Sequence, residues 1–337
     1  MKDNSKTNHT ELETQITLFR DTYARAEEEL AKVIVGQRDV LRLVLSGIFA
    51  GGNILLEGVP GLGKTLLVKS IAKVFDLSFK RIQFTPDLMP SDVTGTQIIS
   101  EDENGRKEFV FKAGPIFANI VLADEINRAT PKTQAALLEA MEEKQVTVLG
   151  QTYELAKPFF VLATQNPVEL EGTYPLPEAQ LDRFIAKVHV SAPSAAELKE
   201  ILQRTTGNIT AEIRPIFKSG QAAEAIKSLR HLVRAVFVAE PWQDVLIRII
   251  NALTPGNQFA TAKTSKYLRY GPGPRGAQAI MLLAKVQALL EGRINLAFDD
   301  IKSILTPALR HRLVMNFQAE ADGITADQII EEVKSAK

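Results

Sequence analysis

Gly58-Val59-Pro60-Gly61-Leu62-Gly63-Lys64-Thr65 is the stretch that decides how the rest of this chain is read. It fits G-x-x-x-x-G-K-[ST] at every fixed position. Glycines at Gly58, Gly61 and Gly63 let the backbone curl so that successive N–H groups point inward at phosphate oxygens. Lys64 would bring a cation to the β- and γ-phosphates, and the Thr65 hydroxyl would ligate Mg²⁺. The flanks fit as well. Asn53-Ile54-Leu55-Leu56-Glu57 is a short apolar strand candidate, and the run from Leu66 to Ala72 has helical spacing. The loop therefore lies between a strand end and a helix N-terminus, where the helix dipole favours an anion. The bland alternative, a glycine turn that happens to precede Lys-Thr, explains neither flank.

Outward from that loop, strands alternate with helices. A long helix over Glu11–Lys32, after a frayed start, leads to the apolar turn Val33-Ile34-Val35-Gly36-Gln37 and a second helix over Asp39–Ala50. Ser78–Phe84 reads as an alternating strand, and Ile120–Ala123, Phe159–Ala163 and Ile185–Val190 as buried ones. Thr96–Ser100 and Glu108–Lys112 pair into a hairpin around Asn104-Gly105, and Val146–Val148 pairs with Thr152–Leu155 around Gly150. Such an alternation implies a parallel α/β sheet. Beyond Pro193 the pattern is helical, over 195–203, 222–238, 243–253, 277–290 and 325–335, and no strong strand remains. Asn257–Pro274 reads as loop. The expected division is an N-terminal helix (1–28), an α/β nucleotide-binding core (29–192) and a helical lid (193–337).

Composition narrows the functions available. Forty basic and 40 acidic residues cancel, so no bulk field draws the chain to nucleic acid or to an anionic membrane. Cysteine is absent, which excludes disulfides, zinc–thiolate sites and thiol catalysis. The four histidines show no ligand spacing. The polar start Met1–Lys6 has no signal-peptide core, and no apolar run approaches the ~20 residues that span a bilayer. A cytoplasmic protein, or one peripheral to a membrane complex, is expected.

Four further features carry chemistry. Asp124, at the end of the apolar run Ile120–Ala123, can hold Mg²⁺ directly or through water, and Glu125 can polarise a water for in-line attack on the γ-phosphate. Acidic pairs after apolar runs are common; following a phosphate loop in the same domain, this one favours a hydrolase. Asn166, in Ala163-Thr164-Gln165-Asn166-Pro167, is positioned to fix that water, against the simpler role of a turn residue before proline. Arg183, just before the last strand, reads as an arginine finger for a neighbouring subunit's nucleotide, or else as a local partner of Asp182. Arg275 opens a helix and could reach a phosphate from the lid, or merely cap that helix.

Together these residues resemble the Walker A, Walker B, sensor 1, arginine finger and sensor 2 of AAA+ ATPases. More narrowly the chain is similar to the MoxR family, over about residues 30–315. The supporting stretches are Ile34–Gln37, Thr85–Asp92, Gly114–Phe117, Asp124–Pro131, Ala163–Pro167, Leu176–Phe184 and Leu309–Leu313. Glycines at Gly273 and Gly276 depart from the family's usual Ser and Ala around Arg275. The resemblance implies a five-stranded parallel core with a helical lid, ATP and Mg²⁺ at subunit interfaces, and a hexameric homo-oligomer. It places Val35-Gly36-Gln37 against the adenine, and makes the hairpin at 96–113 the helix-2 insert and that at 145–156 the pre-sensor-1 hairpin. Arg128 is a second candidate for the trans-acting arginine. The implied function is ATP-driven, chaperone-like remodelling of protein complexes, often with clients bearing a von Willebrand factor A domain. A nucleic-acid motor or loader, a metal-chelatase motor subunit and a non-hydrolysing switch are the alternatives. The mixed charge of the first hairpin speaks against the first of these, and the intact Glu125 against the last.

Overall fold

The computed structural model describes residues 3–101, 105–167, 172–207 and 211–335, with side chains from Glu11 onward. The long leading helix α1 (Asp3–Ala31) starts earlier than the spacing suggests and is followed by α2 (Arg38–Ala50), β1 (Asn53–Glu57) and α3 (Lys64–Val74). Next come β2 (Phe79–Gln83), α4 (Pro90–Thr94), the hairpin β3 (Gly95–Glu101) and β4 (Lys107–Ala113), and β5 (Ile120–Asp124). Helix α5 (Pro131–Glu143), the hairpin β6 (Gln145–Val148) and β7 (Gln151–Glu154), β8 (Phe160–Gln165), α6 (Glu178–Leu181) and β9 (Phe184–His189) complete the α/β part.

The five long-range strands form one parallel sheet in the order β2-β5-β8-β1-β9. β5 is buried along its whole length and β1 and β8 along all but the last residue, because both sheet faces are covered; β2, at an edge, is half exposed. Alternate side chains enter different cores. Ile54, Leu56, Ile120, Leu122, Phe160 and Leu162 pack with α1, α2, α3 and the C-terminal helices. Leu55, Val121, Ala123, Val161 and Ala163 pack on the other face with α5.

Both hairpins leave the sheet as two-stranded ribbons. At the second, Leu149 and Gly150 both have positive φ (49° and 83°), as a tight two-residue turn requires. Asn104, in the turn expected for the first, lies outside the described residues. Phe111 of β4 stacks on Tyr153 of β7 at 3.9 Å, so the two ribbons brace one another.

After β9 come α7 (Ala195–Thr206), α8 (Ala222–Ala235), α9 (Glu240–Ala252), α10 (Ala262–Tyr267), β10 (Leu268–Tyr270), α11 (Pro274–Leu290), α12 (Phe298–Leu309), β11 (Val314–Met315), α13 (Phe317–Ala321) and α14 (Ala326–Ser335). Two expectations are corrected here. The stretch read as loop from Asn257 to Pro274 contains α10, started by Thr261, whose hydroxyl accepts from the Thr264 N–H at 3.1 Å. It also contains β10, paired antiparallel with β11, so strand does occur beyond Pro193. Strands of three and two residues leave no periodicity to read; their partner lies about 45 residues away, and pairing alone defines them.

Candidate active site

β1 delivers the glycine loop at the carboxyl edge of the sheet, and α3 begins at Lys64 directly behind it. Gly61 and Gly63 hold φ of 82° and 75°, open to glycine and strained for other residues. Gly58 is required for another reason: a Cβ there would come within 2.7 Å of the Val190 carbonyl oxygen. No side chain caps α3, so its first N–H groups stay available to an anion. Lys64 Nζ folds back to donate to the Gly58 carbonyl at 2.5 Å and the Val59 carbonyl at 3.4 Å. Burial pulls its pKa below the ordinary lysine value, against the attraction of Asp124 and Glu125. An uncapped helix start, an open glycine cradle and a lysine bonded only to carbonyls fit a triphosphate.

The carboxylates stand two strands away in the sheet, at the end of β5. Thr164 on β8 serves both: its hydroxyl donates to Asp124 Oδ1 at 2.6 Å and accepts from the Glu125 N–H at 2.8 Å. Arg81 on β2 takes the other Asp124 oxygen, Nε at 3.0 Å and Nη2 at 2.7 Å. Glu125 has φ 56°, a left-handed backbone that turns its side chain out of the strand's alternation. Its Oε2 accepts from Gln83 Nε2 at 2.8 Å and pairs with Arg128 Nη1 at 3.1 Å. Arg128, the second candidate for a trans arginine, thus faces the Glu125 of its own chain. Asn166, buried, follows Gln165, whose carbonyl accepts from the Gly58 N–H at 3.2 Å, so β8 brings it beside the loop. Among the described residues no three His, Asp or Glu side chains converge on a metal position. A Mg²⁺ ion would therefore rest on Thr65, Asp124, phosphate oxygens and water, the kind of ligand set Mg²⁺ accepts.

The turn before α2 closes the loop's far side. Gln37 (φ 52°) donates from Nε2 to the Leu62 carbonyl at 3.1 Å, tying the turn to the glycine loop. A cavity of about 420 Å³ opens there, lined by Val35, Gly36, Gln37, His189, Pro193 and Glu197. Gly36 (φ 65°) holds a left-handed backbone strained for other residues, and the Glu197 carboxylate lies against the space a Cβ would take. Nearby, Glu57 bonds Lys187 (2.6 Å) and His189 (2.9 Å). Burial pushes the Glu57 carboxyl upward, but the hydrogen bonds from His189 and Lys187 outweigh it and hold it down at about 2.

Arg183 and Arg275 are elsewhere. In a parallel sheet all strand starts share one edge, and Arg183 immediately precedes β9, a strand length of about 17 Å from the carboxyl edge. It binds α5, with Nη1 donating to the Leu138 carbonyl at 2.6 Å and Nη2 3.0 Å from Glu142 Oε2. Arg275, at the start of α11, takes the other oxygen of Glu142. The two arginines therefore share one carboxylate at the edge opposite the phosphate loop. Arg183 does not pair with Asp182, and Arg275 is not brought to the loop of its own chain.

Asp182 belongs to Arg312, which no reading of single residues singled out. Arg312 Nε donates to Asp182 Oδ1 at 2.7 Å, and Nη2 to the carbonyls of Asp182 (3.0 Å) and Phe184 (2.8 Å). His311 Nε2 lies 3.0 Å from the same Phe184 oxygen, and burial together with Arg312 pushes its pKa well below the ordinary histidine value. His311 and Arg312, after α12, thus latch the C-terminal helices to the segment that carries Arg183. Their only sequence signal was the Leu309–Leu313 stretch of the family resemblance. Arg312→Ala strands a part-buried carboxylate and takes the guanidinium away from the carbonyls of Asp182 and Phe184; it is expected to cost about 3 kcal/mol of stability, read from urea unfolding. A change under 0.5 kcal/mol, about the scale of a neutral surface substitution, contradicts the latch.

Comparison with known proteins places core and lid in one family. Residues 53–186 match the family model described as ATPase family associated with various cellular activities (AAA), and residues 260–333 match the AAA lid domain. The chain is 40% identical to Chaperone MoxR1 of Mycobacterium tuberculosis over 93% of this chain and 81% of that one. It is 30% identical to Protein MoxR of Methylorubrum extorquens, over 90% of each. The crystal structure of a candidate ATPase from Cytophaga hutchinsonii superposes with a TM-score of 0.87 at 41% identity, over 97% of both chains. The likeness runs through core and lid alike, and from it we conclude that the chain belongs to the MoxR family of AAA+ ATPases.

Proposed function

We propose that this chain hydrolyses ATP with Mg²⁺ at sites shared between neighbouring subunits of a homo-oligomeric, hexameric ring, and uses the cycle to remodel protein complexes. The observation that carries this reading is the division of the machinery between two sheet edges. Lys64, Thr65, Asp124, Glu125 and Asn166 gather at the carboxyl edge, while Arg183 and Arg275 share Glu142 at the other. AAA+ ATPases commonly form oligomers, and a ring that sets one subunit's arginine edge against the next subunit's loop completes each site.

In this reading the glycine loop and the α3 N-terminus hold the phosphate chain, and Val35, Gly36 and Gln37 hold the base. When bound, Mg²⁺ would be held by Thr65 and Asp124 and would supply charge neutralisation to the phosphate chain. Glu125 takes the proton of the attacking water, which Asn166 orients, once Glu125 turns from Gln83 and Arg128. Residues 29–192 act as the core and 193–337 as the lid moving against it. The test is Mg²⁺-dependent phosphate release by the full chain. Turnover is expected in the wild type and absent in Lys64→Ala, which also loses nucleotide binding; equal turnover in both contradicts the reading.

The client-contacting elements are the two braced hairpins. On the first, Ile99 is 62% and Phe109 74% exposed, and Leu149 at the turn of the second is 76% exposed. Apolar side chains on a projecting ribbon suit transient contact with protein. The name Chaperone MoxR1 carried by a relative supports a protein client, and the family resemblance supports one bearing a von Willebrand factor A domain. No nucleic acid and no membrane insertion enter the reading; among the described residues no helix is long and apolar enough to cross a membrane. A cytoplasmic site of action, free or peripheral to a membrane complex, goes with it. Replacing Glu101–Lys107 by a short turn is expected to leave basal phosphate release within about twofold and to lower client-stimulated release. Collapse of basal activity or of folding would make the ribbon part of the core.

A further inference from the structure

Away from the nucleotide site, a cavity of about 500 Å³ lies between α8 and Lys157-Pro158-Phe159, the segment entering β8, with Lys144 closing it from the end of α5. Its wall is basic. Lys144, Lys157, Lys227, Arg230 and Arg234 line it, together with His231 and a single carboxylate, Glu224. Glu224 is taken by Lys227 at 3.2 Å, and Lys157 has Glu154 at 3.3 Å. Among the described residues, no carboxylate lies within ion-pair distance of Lys144, Arg230 or Arg234.

At Lys144 and Arg230 the charge is desolvated as well as unpaired. Arg230 is anchored by Nε donating to the Ile48 carbonyl at 2.8 Å, while its Nη2 is buried with no hydrogen-bond partner. Among the described residues, Lys144 Nζ has only the Met141 carbonyl at 2.6 Å and the face of Phe159, 5.4 Å from the ring centre. Burial, with Arg230 nearby, pushes the Lys144 ammonium down to about 8, and burial with Arg234 pushes Arg230 down to about 10. Lys285 adds a further cation beside Arg234, its pKa lowered by burial and by that arginine. A buried N–H without a partner costs about 1–3 kcal/mol, and buried like charges add to it. Structural arginines are normally matched by carboxylates, as Arg312 is by Asp182. Here no carboxylate among the described residues supplies the matching charge.

We infer that this cavity is a second anion site, binding a small polyphosphate through the Arg230 guanidinium, Arg234 and Lys144, and so tying α8 to the start of β8 and the end of α5. Several cations on a cavity of this size suit a chain of phosphates rather than one, and a guanidinium edge with a free N–H suits phosphate oxygens. The site is distinct from the glycine loop, since Lys157–Phe159 stand where β8 begins and the loop stands where the strands end. Glu142, which holds Arg183, lies two residues before Lys144, so occupancy here bears on the arginine edge.

The test uses the full chain saturated with Mg²⁺ and ADP, titrated calorimetrically with tripolyphosphate at low salt. Wild type is expected to show one saturable site, and Arg230→Gln and Arg234→Gln each to weaken it about tenfold or more, as the loss of a charged hydrogen bond does. Arg234 is exposed, so its variant keeps the test valid if Arg230→Gln unfolds. Tripolyphosphate and ATP titrated in parallel into Lys64→Ala separate a free polyphosphate from one carried on a nucleoside; binding of either that Arg234→Gln abolishes supports the site. Absence of saturable binding, unchanged affinity in both variants, or tighter binding of a poly-glutamate peptide than of tripolyphosphate overturns it.

Discussion

Glu125→Gln is expected to bind ATP as the wild type does and to hydrolyse it at least ~100-fold more slowly, the share a positioned general base contributes. The substitution is nearly isosteric, and the amide side chain leaves the left-handed backbone and the N–H bond to Thr164 in place. What it removes is the capacity to take a proton, together with the charge that pairs with Arg128. Because Lys64 and the α3 N-terminus are untouched, affinity for a fluorescent nucleotide should hold while phosphate release collapses. Equal turnover by variant and wild type would remove Glu125 from the mechanism and leave Asp124 as the sole functional carboxylate.

Arg183→Ala should have an effect as large or larger: ATP binding close to normal, and turnover down about 10³-fold, the low end of what an arginine finger contributes. Binding survives because no contact joins Arg183 to the loop of its own chain. Its described partners are the Leu138 carbonyl and Glu142. Arg275→Ala should act in the same direction, since it shares the other oxygen of Glu142 and so the same edge. In the isolated chain both guanidiniums lean on the single charge of Glu142; at an assembled interface they would exchange that carboxylate for phosphate oxygens. Each variant is checked by single-turnover hydrolysis beside equilibrium nucleotide binding, and a parallel loss of both would argue that Arg183 is structural.

The parts of this molecule legible in its sequence are those set by local rules. Gly61 and Gly63 announce a backbone that only glycine adopts easily, and Ile120–Ala123 announces a strand covered on both faces. The shell around the carboxylates is invisible for the converse reason. Arg81, Gln83 and Thr164 reach Asp124 and Glu125 across a separation of about 40 residues, through a strand order that no single segment encodes. Arg312 lies further still from Asp182, about 130 residues along the chain. Arg128 reads in the sequence as a second candidate for the trans-acting arginine, and only the 3₁₀ turn after β5 shows it folded onto Glu125. β10 and β11 are too short to carry a pattern and exist by pairing.

Mixing two inactive variants measures directly whether the two halves of the site meet only between subunits. Lys64→Ala lacks the loop lysine and keeps its arginines; Arg183→Ala lacks the proposed finger and keeps its loop. Differently tagged chains are mixed, co-purification confirms that mixed assemblies form, and phosphate release is recorded against the mixing ratio. Activity is expected to return and to peak at intermediate ratios, because some interfaces then pair an intact loop with an intact Arg183. Mixed assemblies that form and remain inactive at every ratio would contradict the shared site.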